Sequence, residues 1–235
     1  MLTKEMENIL LNSKENGWVL EPEAKHLLSS AGIDVTRFHW TTEIDEAIRF
    51  AEEIGYPIVG KVVSPKVIHK SEKDGVEVGI KNEEELRDTF KRFKGIESFS
   101  GMLIEEMLSG IELIIGAKID FQFGPVILLG IGGVWVEIYR DVILKMAPLN
   151  PKDIDSMMKC LKGRRILEGY RGSEPVNLKE LKRLLLTFSD LVMDLESLIE
   201  SIDLNPIICS AKRCVVADAR IILKKSPLPS ATGES

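Results

Sequence analysis

A polar segment of about a dozen residues, 64–75, lies between two strand-like runs and limits how those strands can be joined. Residues 57–63 and 76–80 are rich in Val and Ile, as strands are, whereas the segment between them contains His69 beside three lysines. Such a segment is too long for a tight hairpin, and connections of this length often carry function. Histidine can accept and release a phosphoryl group or a proton near neutral pH. The segment indicates phosphate handling, with a solvated loop and a chance histidine as the alternative.

Composition is that of an ordinary globular protein and argues against several classes of function. The chain has 235 residues, of which 44% are hydrophobic and 29% charged, so one large domain or two small ones are expected. A net charge of −6 does not favour a nucleic-acid-binding surface. No apolar run reaches the ~18 residues that a membrane span needs, and the N-terminus lacks the apolar core of a signal peptide. We therefore expect a cytoplasmic protein that binds neither nucleic acid nor membrane.

The order of the predicted elements divides the chain into two lobes and a tail. Helix and strand patterns alternate over residues 1–100, which predicts a compact α/β lobe. Residues 101–225 contain several strand runs at hairpin spacing, then helices and a final strand pair, which predicts an antiparallel sheet with helices. Residues 226–235 are rich in Pro, Ser and Gly and are expected to form a loose tail. A cleft is expected between the two lobes.

Charged residues interrupt several of the apolar runs. Lys61 lies inside a predicted strand, and lysine is seldom buried unless it is paired. In a cleft it could neutralise nucleotide phosphates, whereas on a half-exposed strand it would only face solvent. Glu105 comes at the end of a strand, and Glu112 follows seven residues later on the next strand. A carboxylate there could accept hydrogen bonds from ribose hydroxyls, although exposed glutamates on strands are common.

Two polar groups near the end of the chain stand in strands of Ile, Val, Leu and Ala. Asn205 and Asp218 lie on sequential strands with a short connection, so antiparallel pairing would bring them close together. A carboxylate and an amide oxygen, with phosphate oxygens and water, suit octahedral magnesium. The alternative is a strand-ending turn at Asn205 and a local cap at Asp218. The glycine-rich residues 130–133 are a weak phosphate-loop signal and could equally allow close strand approach.

Taken in order, these features resemble one family. The chain resembles the nucleotide-binding beta subunit of ADP-forming acyl-CoA synthetases (acetate–CoA ligase, ADP-forming), which belong to the ATP-grasp superfamily and are related to the beta subunit of succinyl-CoA synthetase. The likeness covers roughly residues 15–223. The stretches that carry it are Gly55–Pro57, Lys61–Pro65, His69–Ser71, Gly75–Val76, Gln122–Val126, Gly130–Glu137, Ala147–Leu149, Tyr170–Gly172, Asp203–Pro206 and Val216–Ala219.

The resemblance implies an α+β ATP-grasp fold in which two lobes hold ATP or ADP in the cleft between them. It implies a role for each matched residue: Lys61 in phosphate binding, Lys70 and Gly75 in nucleotide binding, Glu105, Met107 and Glu112 in adenine and ribose binding, Asn205, Asp218 and Asp203 in binding Mg²⁺, and His69 as a transient phosphohistidine.

The resemblance also implies a partner and a reaction sequence. A CoA-binding alpha subunit, expected in an alpha2beta2 heterotetramer, would convert acyl-CoA and phosphate into an acyl phosphate and pass the phosphoryl group to its own histidine. His69 would then carry the group to ADP. One departure from the family is Asp74, which stands where glycine is common. A carboxylate near phosphates is unfavourable unless Lys70 or Lys73 pairs with it.

Two other functions are consistent with the same residues. One is a different ATP-grasp ligase that forms its acyl phosphate directly, without a phosphohistidine. The other is a subunit that binds nucleotide only to regulate a partner. The latter would not need His69, so the presence of both Lys61 and His69 favours the synthetase subunit.

Overall fold

A computed structural model describes residues 2–67, 70, 73–133, 141–170 and 174–224. The helices in these ranges are α1 (Lys4–Asn12), α2 (Glu21–Ser30), α3 (Ile44–Ile54), α4 (Glu83–Lys94), α5 (Pro151–Cys160), α6 (Arg164–Leu167) and α7 (Leu178–Leu195). The strands are β1 (Trp18–Val19), β2 (Phe38–Thr41), β3 (Ile58–Val63), β4 (Val76–Ile80), β5 (Gly101–Glu106), β6 (Ile111–Asp120), β7 (Gly124–Ile131), β8 (Val142–Met146), β9 (Ile199–Cys209), β10 (Cys214–Val216) and β11 (Ala219–Leu223).

These strands form two antiparallel sheets. The larger has seven strands in the order β1-β11-β9-β6-β7-β8, with β10 paired to β9 beside that path. The smaller has four strands in the order β2-β5-β3-β4. The final hairpin expected from the sequence is confirmed, since β10 and β11 both pair with β9.

Sheet membership differs from the sequence-based division at residue 100. Strand β5 belongs to the four-stranded sheet, where it lies between β2 and β3. Strand β1 pairs with β11 at the edge of the seven-stranded sheet, and α2 contacts β11 as well. The N-terminal helices therefore pack with the C-terminal strands, a long-range pairing that local sequence patterns do not encode. The tail at residues 226–235 lies outside the described residues.

Each sheet has its own hydrophobic core. The larger core packs α1, α2, α5 and α7 against the seven-stranded sheet, and the smaller packs α3 and α4 against the four-stranded sheet. A third cluster, of Trp18, Leu20, Val63 and Leu103, joins β1 to the inner face of the small sheet. The indole Nε1 of Trp18 also donates a hydrogen bond to the Pro65 carbonyl, at 3.2 Å. The two sheets thus meet along an apolar seam.

Local signals in the sequence set several helix ends. Helix α2 has Pro22 in its first turn, where proline is favoured. Asn82 caps α4, because its side chain accepts a hydrogen bond from the Glu85 N–H at 2.9 Å. Within the described ranges, every helix is too short or too polar to cross a bilayer.

Ser189 supplies a test of the larger core. Its side chain is fully buried in α7 and accepts a hydrogen bond from the Leu149 N–H at 2.8 Å. Ser189→Ala should lower the free energy of unfolding by about 2 kcal/mol, because it leaves that buried N–H without its acceptor. Ser29→Ala, at an exposed position near the end of α2, is the control and should change stability by less than about 0.5 kcal/mol. Urea unfolding measures both, and equal effects would contradict this account.

Candidate functional site

Five charged side chains lie buried together where the two sheets meet. They are Glu21, Lys25, Lys61, Lys70 and Glu105, each at most 8% exposed, and we call them the seam cluster. Helix α2 supplies the first two, β3 and β5 supply Lys61 and Glu105, and Lys70 comes from the segment between β3 and β4. Charged residues are almost never fully buried unless they are paired, so this grouping requires a physical account.

Local geometry directs each side chain toward the seam. Glu21 and Lys25 are four residues apart, which places them on the same face of α2. In the small sheet Lys61 lies opposite Leu103, and Glu105 lies opposite Val59. Side chains alternate across a strand, so Lys61 and Glu105 share the sheet face of Leu103, which belongs to the seam contact. The other face of the same strands packs against α3 and α4.

The contacts within the cluster link both lobes. The Nζ atom of Lys61 lies 2.6 Å from Oε1 of Glu21, 3.2 Å from Oε2 of Glu105 and 2.7 Å from the Ala217 carbonyl oxygen. Lys70 pairs with Oε2 of Glu21. The carbonyl of Ala217 lies between β10 and β11, so Lys61 of the small sheet contacts the large sheet directly. Lys70 contacts Glu21 of α2, a helix that packs against the large sheet.

The Nζ atom of Lys25 lies close to four oxygen atoms. Its Nζ donates to Thr36 Oγ1 and to the Ala217 carbonyl, each at 2.8 Å, and pairs with Glu105. It also lies 3.4 Å from Glu21. An ammonium group has three N–H donors, and Lys25 has an oxygen for each of them.

The surrounding charges decide the protonation of Glu21. Burial by itself would raise the pKa of the Glu21 carboxyl, but the charges of Lys61, Lys70 and Lys25 outweigh burial and hold that pKa well below its ordinary value of 4.5. Three lysines against two glutamates leave one formal positive charge. The five side chains, counted without the nearby Asp218, are thus slightly positive as a group, which favours anions.

The pKa values of Lys61 and Lys25 are shifted in opposite directions. Burial would lower the pKa of Lys61, but Glu105, Glu21 and Asp218 raise it above its ordinary value. For Lys25, burial prevails and lowers the pKa in spite of the nearby Glu105. Lys61 is thus held fully charged beside the connection between β10 and β11, which contains Asp218.

The described parts of the 64–75 segment are held at both ends. Oγ of Ser64 donates to the Glu97 carbonyl at 2.8 Å, at the start of the segment. At its end the Lys70 carbonyl accepts from the N–H groups of Lys73 and Gly75, at 3.1 and 2.8 Å. A Cβ on Gly75 would lie 2.6 Å from a methyl carbon of Val62, so only glycine fits there. His69 lies outside the described residues.

Asp74 adopts a backbone conformation that suits glycine better than most other residues. Its φ is +51°, in the left-handed region, which glycine favours and aspartate tolerates. The Asp74 carbonyl accepts from Arg92 at 2.9 Å, while its own side chain is exposed. Lys70 pairs with Glu21 and not with the Asp74 carboxylate. The carboxylate of Asp74 is instead exposed to solvent.

The predicted magnesium residues meet as the strand pairing requires. The N–H of Asn205 donates to the Asp218 carbonyl at 3.2 Å, which confirms that these two residues are neighbours. Asp203 lies two residues before Asn205 on the same face of β9, and its carboxylate is 3.2 Å from Arg220. Within the described ranges, no three His, Cys, Asp or Glu side chains are grouped closely enough to hold a metal ion. Mg²⁺ commonly uses one or two carboxylates together with water and substrate phosphates, so an Asn205–Asp218 pair fits it.

The predicted adenine and ribose residues fall into two environments. Met107 is 45% exposed just after β5, and Glu112 is exposed on β6, as a contact with a ligand would require. Glu105 is 1% exposed and paired with Lys25 and Lys61, so its carboxylate lies inside the seam cluster. Its assignment to the nucleotide stays a prediction.

The glycines of residues 130–133 allow close approach of the chain to β6. The N–H of Gly132 donates to the Glu112 carbonyl at 2.7 Å, and a Cβ on Gly132 would lie 2.9 Å from that oxygen. Of the two readings of these glycines, the geometry favours close backbone packing.

Sequence reasoning missed Glu21 and Lys25. Neither was singled out from the sequence, because a Glu–Lys pair four residues apart is typical of a solvated helix face. A usable signal was present, since Lys25 lies in the same helical stripe as Ala24, Leu27 and Leu28, which are fully buried with it.

Comparisons with known proteins give a consistent result. The family model of the ATP-grasp domain matches residues 11–223. The beta subunit of acetate–CoA ligase (ADP-forming) I from Pyrococcus furiosus is 40% identical over 217 residues, which are 89% of this chain and 93% of that protein.

Two solved structures of acetyl-coenzyme A synthetase 1 from Ca. Korarchaeum cryptofilum match nearly the whole chain. The structure with coenzyme A and Ca-AMPCP is 41% identical and has a TM-score of 0.86, over 93% of this chain and 99% of that one. The structure with coenzyme A and Mg-AMPPCP is 42% identical, has a TM-score of 0.81 over 93% of this chain and 100% of that one, and has a phosphohistidine segment that points towards the nucleotide-binding site.

Two glutamates of α2 should affect the pH dependence of stability in opposite ways. Because the pKa of Glu21 is lowered by folding, its stabilisation is present above pH 4.5 and is lost as the pH falls through the folded value. Glu21→Gln should lower the free energy of unfolding by about 3 kcal/mol at neutral pH, and less in acid. Burial raises the pKa of Glu23, so its ionised form is disfavoured in the folded protein. The change in the free energy of unfolding on Glu23→Gln should therefore be more positive at neutral pH than in acid. Urea unfolding from about pH 7 down to about pH 3.5 measures both, and parallel curves for the two variants would contradict the assignment.

Proposed function

The chain belongs to the ATP-grasp family, and we propose that it is the nucleotide-binding subunit of an ADP-forming acyl-CoA synthetase. The family membership confirms the predicted α+β ATP-grasp fold with two lobes. In the proposed reaction acyl-CoA, ADP and phosphate are interconverted with carboxylic acid, CoA and ATP, which makes the protein an acid–thiol ligase.

The observation that carries the proposal is the convergence of charge at the seam. Lys61 from the small lobe donates to the Ala217 carbonyl, and the next residue, Asp218, is hydrogen-bonded through its own carbonyl to Asn205. A lysine suited to phosphate and two oxygen-bearing side chains suited to Mg²⁺ thus lie on adjoining elements. Phosphoryl transfer depends mainly on positioning and charge neutralisation, and this arrangement supplies both.

Each residue has a defined task in the proposed reaction. Lys61 and Lys70 bind phosphate oxygens, Gly75 allows the backbone beside Lys70 to pack closely, and Glu112 and Met107 contact ribose and adenine. Asn205 and Asp218 hold Mg²⁺, with Asp203 nearby on the same strand. When bound, the metal ion supplies charge neutralisation for the transferred phosphoryl group.

His69 is assigned to the relay. In the relay, the Nε2 or Nδ1 atom of a neutral histidine forms a bond to phosphorus as the bond to the donor breaks, and ADP then takes the phosphoryl group and restores the histidine. A relay divides one transfer between two distant sites into two short transfers. The acyl phosphate and the first phosphohistidine belong to a CoA-binding alpha subunit, and we propose an alpha2beta2 assembly in the cytoplasm. The relative from Pyrococcus furiosus is itself named a subunit beta.

Replacement of His69 tests the relay directly. His69→Ala should abolish ATP formation from acyl-CoA, ADP and phosphate in the presence of an alpha subunit, while ADP affinity changes less than about threefold, because binding does not use the imidazole. His39→Ala, at a half-exposed position in β2, is the matched control and should retain activity. Full activity of His69→Ala would exclude the relay and favour a ligase with a direct acyl phosphate. ATP binding without any labelled protein or turnover in the unaltered chain would favour a regulatory subunit.

Replacement of Asp218 tests the magnesium assignment. Asp218→Ala should weaken the binding of ADP about tenfold or more when magnesium is present and much less when it is absent, because only the metal-linked part of the affinity is lost. Calorimetry with and without magnesium measures both values. Asp88→Ala, on the exposed side of α4, is the control. An unchanged affinity in magnesium would remove Asp218 from the site.

A further inference from the structure

We propose that Glu21 is an internal counterion that competes with the nucleotide phosphates for Lys61 and Lys70, so that binding of nucleotide replaces its carboxylate at these two ammonium groups. The inference rests on the proposed function, from which it takes the contact between the two lysines and phosphate. The new element is that, in the free protein, the carboxylate of Glu21 occupies the place of the phosphate at these lysines.

The donors of Lys61 are already matched by protein oxygens. Glu21 Oε1, Ala217 O and Glu105 Oε2 lie at 2.6, 2.7 and 3.2 Å from its Nζ atom. An ammonium group has three N–H donors, so these oxygens match it in number. For Lys61 to bind a phosphate oxygen, one of these three oxygens must move away from its Nζ atom.

Glu21 is the partner best able to leave. The carbonyl of Ala217 is fixed by the backbone and is shared with Lys25, and Glu105 is paired with Lys25 as well. Glu105 gives one of its two oxygens to Lys25, whereas Glu21 has both oxygens on Lys61 and Lys70, the two lysines assigned to phosphate. Lys25 lies 3.4 Å from Glu21 and would still neutralise it after the exchange. A buried carboxylate would therefore not be left without a cation, which is the costly outcome.

Lys70 is arranged so that its ammonium can change partner while its backbone stays in place. Its carbonyl holds the N–H groups of Lys73 and Gly75, independently of the side chain. The side chain of Lys70 is 8% exposed and that of Lys61 is 7%, against 1% for Glu21. The lysines are thus the members of these ion pairs that lie nearer to solvent, from which an anion would approach.

The charge balance favours the exchange. The seam cluster carries one formal positive charge with Glu21 ionised, and the carboxylate of Glu21 repels any phosphate that approaches the same lysines. Removal of that charge raises the cluster to two formal positive charges, which destabilises the free protein and strengthens its attraction for an anion. A purely structural role for Glu21 predicts the reverse, since a disordered pair of lysines would bind phosphate more weakly.

The affinity of the full chain for ADP in magnesium buffer distinguishes these roles. By calorimetry, Glu21→Gln should bind ADP about tenfold more tightly than the unaltered protein, a ratio that corresponds to about 1.4 kcal/mol. Glu23→Gln, on the same helix turn but outside the seam cluster, is the control and should bind ADP as the unaltered protein does. Glu21→Asp keeps the charge and withdraws the carboxylate by one methylene, so its affinity should fall between those of the unaltered protein and Glu21→Gln.

The aspartate variant keeps the test decisive if the glutamine variant does not fold. If both fold, the glutamine variant decides. Equal or weaker binding by the deciding variant, with normal binding by the unaltered protein, overturns the inference and leaves the proposed function in place. Failure of the unaltered protein to bind ADP overturns both. Tighter binding that Glu23→Gln does not reproduce supports the competition.

Discussion

Two buried carboxylates shared among three buried ammonium groups are the interaction on which the structure depends. The seam cluster joins α2, the small sheet and the connection between β10 and β11, which are elements from both ends and the middle of the chain. Removing one partner from such a group leaves an uncompensated buried charge, which costs several kcal/mol. The apolar contacts around Trp18 would allow some sliding of one sheet on the other, whereas short charged hydrogen bonds of fixed direction oppose it. The cluster thus sets the position of the small lobe on the large one.

The same interaction prepares the protein for a polyanion. Fixed ammonium groups in a site shielded from water attract phosphate more strongly than flexible surface lysines do, because the local dielectric is low and the side chains are already ordered. Isolated from any anion, such groups would repel one another and destabilise the fold. Glu21 and Glu105 remove that problem in the free protein. The arrangement links the energetics of the fold to the proposed chemistry, since the charges that hold the lobes together are the charges assigned to the phosphates.

Much of the architecture could be predicted from local patterns. Pro22 lies in the first turn of α2, where proline is favoured, and Asn82 caps α4 as its residue type indicates. The hairpin that brings Asn205 to Asp218 follows from alternation and a short connection. Lys61 was recognised because a charged residue in an apolar run is unusual. The sheet joined by β5 could not be predicted in this way, because its pairing with β2 and β3 depends on residues about forty to seventy positions away.

The sequence by itself determined which residues have unusual chemistry for their surroundings: a histidine among lysines between two strands, Lys61 in an apolar strand, and Asn205 and Asp218 in a final hairpin. Tertiary structure alone decided which charges meet. Glu21 and Lys25 have the spacing of an ordinary solvated pair, and Glu105 that of an exposed strand end. Only the packing of α2 against the small sheet removes them from water and gives them common partners. The physical reason is that burial and pairing are properties of contacts between distant segments, and a local pattern contains no information on them.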